Sequence, residues 1–252
     1  MNADILSIDG KKAGSIELPV AFSEAVRHDL IRRAVDAENS LKLQSQGHYL
    51  LAGMQTTATY YGAMHSYRTG RHMGIAIRPR EKLGGGVQGK VRRIPSSVKG
   101  KRAHPHTIEK ILIERMNKKE YRKALSSAIA AASNPSPIVV SDSINSIKKT
   151  NEMARIIKTL TGIDTNEHTS RKRKGVRRSS KQKTYGKKIL IVCNDQNVIM
   201  SARNIAGVDA CKLESIKVGL IAPGGNTFRK VIWSESAIKG LDSAIKKKEI
   251  EQ

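Results

Sequence analysis

The chain has 252 residues, with 46 Lys and Arg against 22 Asp and Glu and a formal net charge of +24. This length is enough for one large α/β domain over residues 1–252, and so basic a balance favours a polyanionic partner such as nucleic acid. The sequence shows neither an apolar run long enough to span a membrane nor a signal-peptide pattern, which predicts a cytoplasmic protein without a membrane partner.

The first predicted elements are a hairpin and a helix. Short alternating runs around Asp9-Gly10 predict two antiparallel strands over residues 4–18. Apolar residues then recur at helical spacing, which predicts a helix from residue 23 to about residue 43. The predicted apolar face of this helix consists of Val26, Leu30, Ala34, Ala37 and Leu41.

Residues 62–106 carry the strongest functional signal of the chain. They contain 11 Lys or Arg, eight Gly and a single acid, Glu81. Because glycines and prolines interrupt every candidate helix, we predict a long extended loop inserted into the domain. Its cations can neutralise phosphates, and its glycines allow a close approach of the backbone. Four tyrosines with rings that can stack on bases or pack the loop stem are Tyr49, Tyr60, Tyr61 and Tyr67.

Helices and strands alternate after the loop. Asn117, with Glu120 three residues later, is a capping pattern, and Gly162 and Ser234 mark a helix end and a helix start. Further helices are predicted over 117–132, 150–162, 198–205 and after 234, and strands at 138–140, 189–193, near 208 and at 231–233. This order predicts an α/β fold, with a mostly parallel sheet covered by helices on both faces.

Residues 168–188 form a second basic segment, with ten Lys or Arg and no acid. Because it separates a predicted helix from the apolar run at 189–193, we predict an extended surface connection that binds phosphates rather than a nuclear-targeting tag. The candidate RNA-binding residues of the two segments are Arg68, Arg71, Arg78, Arg80, Lys82, Lys90, Arg92, Arg93, Lys99, Lys101, Arg102, His104, Arg171, Lys172, Arg173, Lys174, Arg177 and Arg178.

Two phosphate-loop patterns in the glycine cluster are not interpreted as nucleotide sites. Residues 84–89 match G-x-G-x-x-G, and residues 84–90 match the first seven positions of G-x-x-x-x-G-K-[ST]. Val91 then stands where a Ser or Thr must bind Mg²⁺, and residues 78–82 cannot form the buried strand that delivers such a loop. The sequence shows no catalytic constellation, so we predict a protein that is not an enzyme and needs no cofactor.

Metal and disulfide sites are not predicted either. His104 and His106 have no Cys or carboxylate nearby at ligand spacing, so two exposed or RNA-facing histidines are the favoured interpretation. Cys193 and Cys211 lack the paired spacing of zinc or disulfide frameworks, which predicts two buried thiols.

Several motifs together resemble the large-subunit ribosomal protein L four family in its archaeal form. They extend over nearly the whole chain, and their order is also that of the family. The motifs are Leu18-Pro19, the entry at 23–26, DLIRRAV at 29–35, KGKRAHP at 99–105, NKKE at 117–120, AIAA at 128–131, SARNIAGV at 201–208 and LIAPGG at 220–225.

The resemblance implies a structural protein that binds large-subunit rRNA beside other large-subunit ribosomal proteins. It also implies an α/β body on the outer side of the subunit and a loop that lines the peptide exit tunnel, close to the nascent polypeptide. Residues 69–79 differ from the compact G-x-G-x-A-R-V-P run of the family. The resemblance therefore assigns this stretch, and no single residue, to the tunnel wall.

Two interpretations from other classes stay open on the residues alone. The first is an RNA-processing or modifying enzyme with a basic insertion, which requires a catalytic pocket. The second is a regulatory RNA-binding protein that is not a permanent part of a particle. Retention on intact large subunits at moderately high salt separates both from a structural constituent.

Overall fold

The computed structural model describes residues 1–60, 74, 76–81, 89–91, 94–163, 186 and 188–248. The chain divides into two compact units. The α/β unit comprises Met1–Lys42 and Ile113–Gln252, and the inserted unit comprises Leu43–Leu112. Among the described residues, no helix combines the length and apolar character that crossing a bilayer requires.

The α/β unit is built on one six-stranded sheet. Its strands are β1 Asn2–Leu6, β2 Lys12–Glu17, β3 Ile138–Val140, β4 Ile189–Cys193, β5 Val208–Lys212 and β6 Lys230–Ser234. Their order in the sheet is β2-β1-β3-β6-β4-β5. The hairpin of β1 and β2 is antiparallel, and every other described pair is parallel. The predicted α/β class with a mostly parallel sheet is confirmed.

Six α-helices accompany the sheet in the part of the chain that the structure describes. They are α1 His28–Ser40, α2 Lys118–Ala132, α3 Thr150–Thr161, α4 Gln196–Ala202, α5 Val218–Ile221 and α6 Glu235–Lys247. The short α5 was not predicted, because its four residues are too few to show a helical period. The other five overlap the predicted helices, although α4 begins before residue 198 and ends before residue 205.

The core consists of two apolar layers, one on each face of the sheet. All five residues of β4 are buried. Neighbouring side chains along a strand point to opposite faces, and an apolar layer covers each face of this sheet. Leu190 and Val192 belong to the layer that contains Trp233 and the apolar residues of α1, α2 and α6. Ile189 and Ile191 belong to the other layer, which contains residues of α3 and α4.

The start of α1 differs from the prediction. The helix begins at His28 rather than at residue 23, and Val26 lies outside it and is exposed. The reason is a tertiary contact with α2: the backbone N–H of Arg27 donates to Ser127 Oγ at 2.6 Å, and Ser127 Oγ donates to Ala25 O at 3.1 Å. These bonds hold the residues before α1 in a non-helical conformation that sequence periodicity does not reveal.

The predicted helix ends are confirmed in position, with one difference in chemistry. Ser234 Oγ accepts a hydrogen bond from Ala237 N and caps α6, and Gly162 ends α3 in the left-handed conformation with φ 67°. Asn117 occupies the cap position of α2 but its side chain makes no capping hydrogen bond. Glu120 forms an ion pair with Arg33 of α1 instead of completing a capping box.

Both cysteines are buried thiols, as predicted. Burial raises the pKa of Cys193 to about 11, and burial raises the pKa of Cys211 to about 12. Both thiols are therefore protonated at neutral pH and have the properties of small apolar core residues.

Candidate nucleic-acid interface

Two arms of the inserted unit run side by side in opposite directions. His48 N donates to His106 O at 3.1 Å, and further along the arms Lys101 Nζ donates to Gln55 O at 3.1 Å. Gly53 lies between these contacts, so close to the backbone of Arg102 that a Cβ atom there would collide with its carbonyl oxygen. A glycine at this position is what lets the two backbones approach each other.

The pairing continues beyond Gln55. Thr59 and Arg80 exchange two backbone hydrogen bonds of 3.0 Å in an isolated antiparallel bridge. Next to this bridge, Gly89 N donates to Glu81 O at 2.9 Å, so the chain folds back a second time. The described part of this basic segment is thus held by backbone hydrogen bonds, although its composition predicted no regular structure.

A compact turn at residues 94–100 leads into the returning arm. Ser97 Oγ donates to the carbonyl oxygens of Val91 and Ile94, and Gly100 N donates to Ser97 O at 2.9 Å. Ile94 is buried beneath the turn. Lys99 adopts the left-handed conformation with φ 59°, which is uncommon for a residue other than glycine. The turn therefore has a specific conformation, and it places Lys99 and Lys101 on either side of Gly100.

The predicted cations of the returning arm lie at the surface. The exposed candidates on the returning arm are Lys99, Lys101, Arg102 and His104. Neighbouring members of this set are adjacent in the sequence or separated by one residue. None of the three cations among them forms an ion pair with a carboxylate of the described residues. Their charge is thus available to an external anion, as a phosphate-binding surface requires.

The remaining described candidates lie around the bridge between Thr59 and Arg80. Arg78 and Lys90 are exposed, whereas Arg80 is half-buried. The Arg80 guanidinium donates to Ala76 O at 2.8 Å, so part of its donor capacity serves the local backbone. Arg78 and Lys90 are therefore the better placed of the three to reach phosphates.

Exposed rings and apolar side chains accompany the cations. Tyr49 and Tyr60 are exposed by more than half, at 57% and 56%, which favours the stacking interpretation over packing of the loop stem. Tyr49 Oη accepts a hydrogen bond from Gln55 at 3.1 Å, which orients its ring. Exposed aromatic rings and exposed cations in one unit are typical of proteins that bind single-stranded nucleic acid.

Eleven of the eighteen predicted RNA-binding residues lie outside the described residues, and the extended loop and the second basic segment stay predictions. These residues are Arg68, Arg71, Lys82, Arg92, Arg93, Arg171, Lys172, Arg173, Lys174, Arg177 and Arg178.

We predict that Gly100→Ala disrupts the turn at residues 94–100. An added Cβ would collide with Ile94 O and lie 2.9 Å from Ser97 O, so the backbone must move. We expect the Gly100 and Ser97 amides to exchange with solvent about tenfold faster, which corresponds to about 1.4 kcal/mol of local stability. Hydrogen exchange measured by NMR tests this.

The matched control is Gly14→Ala in β2, where an added Cβ would meet only Ile5 Cδ1 at 3.8 Å. That variant should leave exchange in the inserted unit unchanged. Equal exchange rates in Gly100→Ala and the parent protein would show that the turn does not depend on a glycine.

Sequence analysis missed a buried carboxylate in the α/β unit. Glu38 lies on the apolar face of α1, and it accepts hydrogen bonds from Tyr121 Oη at 2.7 Å, Val218 N at 2.8 Å and Gly219 N at 3.0 Å. The available signal was its spacing, since an acid three residues after Val35 falls on the buried side of the helix. Glu38 thereby joins α1, α2 and the start of α5.

Taken together, the fold and the interface define a class of protein. It is an α/β protein that carries, as an insertion in its chain, a strongly cationic unit suited to polyanions. The comparisons with known proteins agree with this class. The model of the Ribosomal protein L4/L1 family matches residues 16–244.

Archaeal relatives match along almost their entire length. The chain is 34% identical to the large ribosomal subunit protein uL4 of Methanospirillum hungatei, over 96% of this chain and 98% of that protein. It is 35% identical to the proteins of the same name from Methanocaldococcus jannaschii and Archaeoglobus fulgidus, again over 96% and 98%. The chain therefore belongs to the Ribosomal protein L4/L1 family, whose members are structural and not enzymes. The family predicted from the sequence motifs and the prediction of a non-enzyme are confirmed.

Proposed function

We propose that this protein is a structural constituent of the large ribosomal subunit, where it binds large-subunit rRNA and contacts other large-subunit proteins. The observation that carries the proposal is the match, over 96% of the chain, to proteins named for the large ribosomal subunit. The exposed cations of the inserted unit, which form no ion pair with a carboxylate of the described residues, support the RNA-binding part. The proposed location is the cytoplasmic ribosome, and neither a cofactor nor a small-molecule substrate takes part.

The paired arms of the inserted unit hold several of its cations on a backbone fixed by hydrogen bonds. Lys99, Lys101 and Arg102 lie next to Gly100 on one arm. The backbone of this arm is held by the opposite arm and by the turn at 94–100. Cations on a held backbone lose less conformational freedom when they bind phosphates than cations on an unstructured chain. The inserted unit is accordingly proposed as the principal rRNA-binding surface.

The proposal includes a tunnel-lining role for the loop at residues 62–106. Its glycines and cations suit a path between rRNA segments. Along the sequence, residues of the α/β unit precede and follow the inserted unit that contains this loop. The partner at the far end of the loop is the nascent polypeptide in the exit tunnel. The residues of the loop favour RNA binding, and membership of the family adds the expectation that the loop lines the tunnel.

Retention on the particle tests the proposed function. Tagged protein expressed in an archaeal host should sediment with intact large subunits and stay bound at moderately high salt. A structural constituent is held by many contacts, whereas an RNA-processing enzyme or a free regulator dissociates as salt screens its phosphate contacts. Release of the protein into the supernatant at that salt concentration would contradict the proposal.

We predict that the two basic segments contribute separately to the salt dependence of rRNA binding. Lys99→Gln, Lys101→Gln and Arg102→Gln together should lower the slope of log K against log salt by about 0.7–0.9 for each lost phosphate contact. Neutralisation of the second basic segment should add a similar decrease per contact. Its substituted residues are Arg171, Lys172, Arg173, Lys174, Arg177 and Arg178.

Filter binding or fluorescence anisotropy with a large-subunit rRNA fragment measures these slopes. The control for the triple variant has the same charge change at three exposed lysines of the α/β unit, Lys11, Lys119 and Lys148. Its slope should stay close to that of the parent protein. An unchanged slope in either test variant would show that the segment concerned is only solvated.

A further inference from the structure

The inserted unit begins with a stretch that carries no charge. Residues 43–60 contain no Lys, Arg, Asp or Glu, although 27% of the residues of the whole chain are charged. Proteins obtain much of their affinity for RNA from Lys and Arg that neutralise its phosphates. This stretch therefore lacks the chemistry through which residues 99–102 are proposed to bind rRNA.

A hydrogen-bonded turn lies within the uncharged stretch, at residues 49–55. Ala52 N donates to Tyr49 O at 3.0 Å, and Met54 N donates to Leu51 O at 3.0 Å. Gln55 N donates to Leu51 O at 2.9 Å, and the Gln55 side chain donates to Tyr49 Oη at 3.1 Å. The backbone of the turn is thus fixed by its own hydrogen bonds.

Three large apolar side chains of this turn are exposed to solvent. Leu50 is 70% exposed, Leu51 is 50% exposed and Met54 is 60% exposed. Single exposed apolar side chains are normal on protein surfaces, whereas a group of them on one segment indicates an interaction site. We name residues 49–55 the apolar turn.

The opposite arm of the inserted unit holds the apolar turn in place. Gln55 O accepts a hydrogen bond from Lys101 Nζ at 3.1 Å, and Gly53 packs against the backbone of Arg102. A surface on a held backbone loses less conformational freedom when it binds a partner than a surface on an unstructured chain. The apolar turn is therefore preorganised for binding.

We propose that the apolar turn docks on an apolar, uncharged surface of another large-subunit protein, an inference that rests on the function proposed above. The cores of protein–protein interfaces are depleted of charged residues, as this stretch is, and Met is among the residues enriched there. rRNA is the poorer match, because residues 43–60 offer its phosphates no cation. The test distinguishes the proposed partner from rRNA, from a second copy and from another part of this chain.

Photo-crosslinking in assembled subunits identifies what covers the turn. Full-length protein with Leu51→p-benzoylphenylalanine is expressed in an archaeal host, and the purified large subunits are irradiated. We expect an adduct with another large-subunit protein that survives ribonuclease and is identified by mass spectrometry. The control, Val20→p-benzoylphenylalanine at an exposed position of the α/β unit, should not give the same adduct.

Three results of the crosslinking would contradict the proposal. The first is an adduct with rRNA, which ribonuclease removes. The second is an adduct formed only within this chain or with a second copy, and the third is the absence of any adduct. If the parent protein itself is missing from large subunits, the proposed function fails and this inference fails with it. A parent protein that is present but crosslinks to rRNA refutes this inference alone.

Substitution of the turn provides an independent measurement. Leu50→Ser, Leu51→Ser and Met54→Ser together should lower the variant's share of large subunits at least about tenfold when it competes with the parent protein in the same cells. The affinity of this variant for a large-subunit rRNA fragment should stay within about twofold of the parent value, because every cation remains. The matched control is Val20→Ser, Val26→Ser and Met200→Ser, at exposed apolar positions of the α/β unit, and it should compete like the parent protein.

The competition and the RNA affinity can each overturn the proposal. An unchanged share of large subunits for the variant of the apolar turn would show that no partner docks there. An equal loss in the control would show that the effect is not specific to the turn. An rRNA affinity about tenfold below that of the parent would show that the turn contacts RNA.

Discussion

Replacement of Leu43–Leu112 by a link of about six Gly and Ser residues is expected to leave the α/β unit folded and to abolish stable incorporation into large subunits. Both apolar core layers consist of residues outside this range, so the core loses none of its members. Shortening the connection from about 70 residues to about six lowers the entropy cost of loop closure by at most about 2 kcal/mol. We expect assembly to fail because the proposed rRNA-binding surface, with Lys99, Lys101 and Arg102, is removed.

Trp233 makes the first half of this prediction easy to measure. It is the single tryptophan of the chain, it is fully buried, and its ring packs edge-on against Phe22 at a centroid distance of 5.6 Å. Its fluorescence during urea unfolding reports directly on the core of the α/β unit. Sedimentation of the variant with large subunits from cells measures the second half.

The control for the replacement keeps the length of the chain. Lys99→Gln, Lys101→Gln and Arg102→Gln together should weaken incorporation less than the full replacement, with the same core stability. If the replaced protein has lost the buried signal of Trp233, the core depends on the inserted unit. Normal incorporation of the replaced protein would show that another surface directs assembly.

The second large effect is expected for Glu38→Ala, which should lower the free energy of unfolding by about 3 kcal/mol or more. The substitution leaves Tyr121 Oη, Val218 N and Gly219 N buried or half-buried without their acceptor. Each orphaned donor keeps its desolvation cost, and the contact that joins three helices is lost. An added Cβ at Gly219 would lie 2.8 Å from Glu38 Oε2, which shows how closely the carboxylate fits.

Asp36→Ala is the matched control, because Asp36 lies on the exposed side of the same helix. It removes the same charge and changes helix propensity in a similar way, and we expect a change within about 0.5 kcal/mol. Urea unfolding followed by Trp233 fluorescence compares the two. A stability loss no larger for Glu38→Ala than for Asp36→Ala would show that water replaces the carboxylate at little cost.

Several elements of the α/β unit were predictable because a local pattern specifies them. The run at Ile189–Cys193 is apolar at every position, as a strand buried on both faces must be. Gly162 ends α3 because the left-handed conformation is easily adopted only by glycine, and Ser234 caps α6 through a bond three residues away. Each of these signals involves residues within one helical turn or one strand.

The interface was predictable only in part. Dense positive charge with one acid or none predicted that residues 62–106 and 168–188 bind a polyanion. Composition could not show that Thr59 pairs with Arg80 or that Gln55 O accepts a hydrogen bond from Lys101, because those bonds join residues more than 20 positions apart. It also could not separate the half-buried Arg80 from the exposed Arg78.

The amino-acid sequence alone therefore determined the α/β class, most of the helix and strand types and the family, and it predicted a polyanionic partner, since all of these follow from short-range pattern and charge. The tertiary structure decided the strand order, the late start of α1 against Ser127 and the burial of Glu38. The physical reason is the long separation in sequence between the residues that interact. A hydrogen bond between Glu38 and Val218, 180 positions apart, leaves no local pattern in the chain.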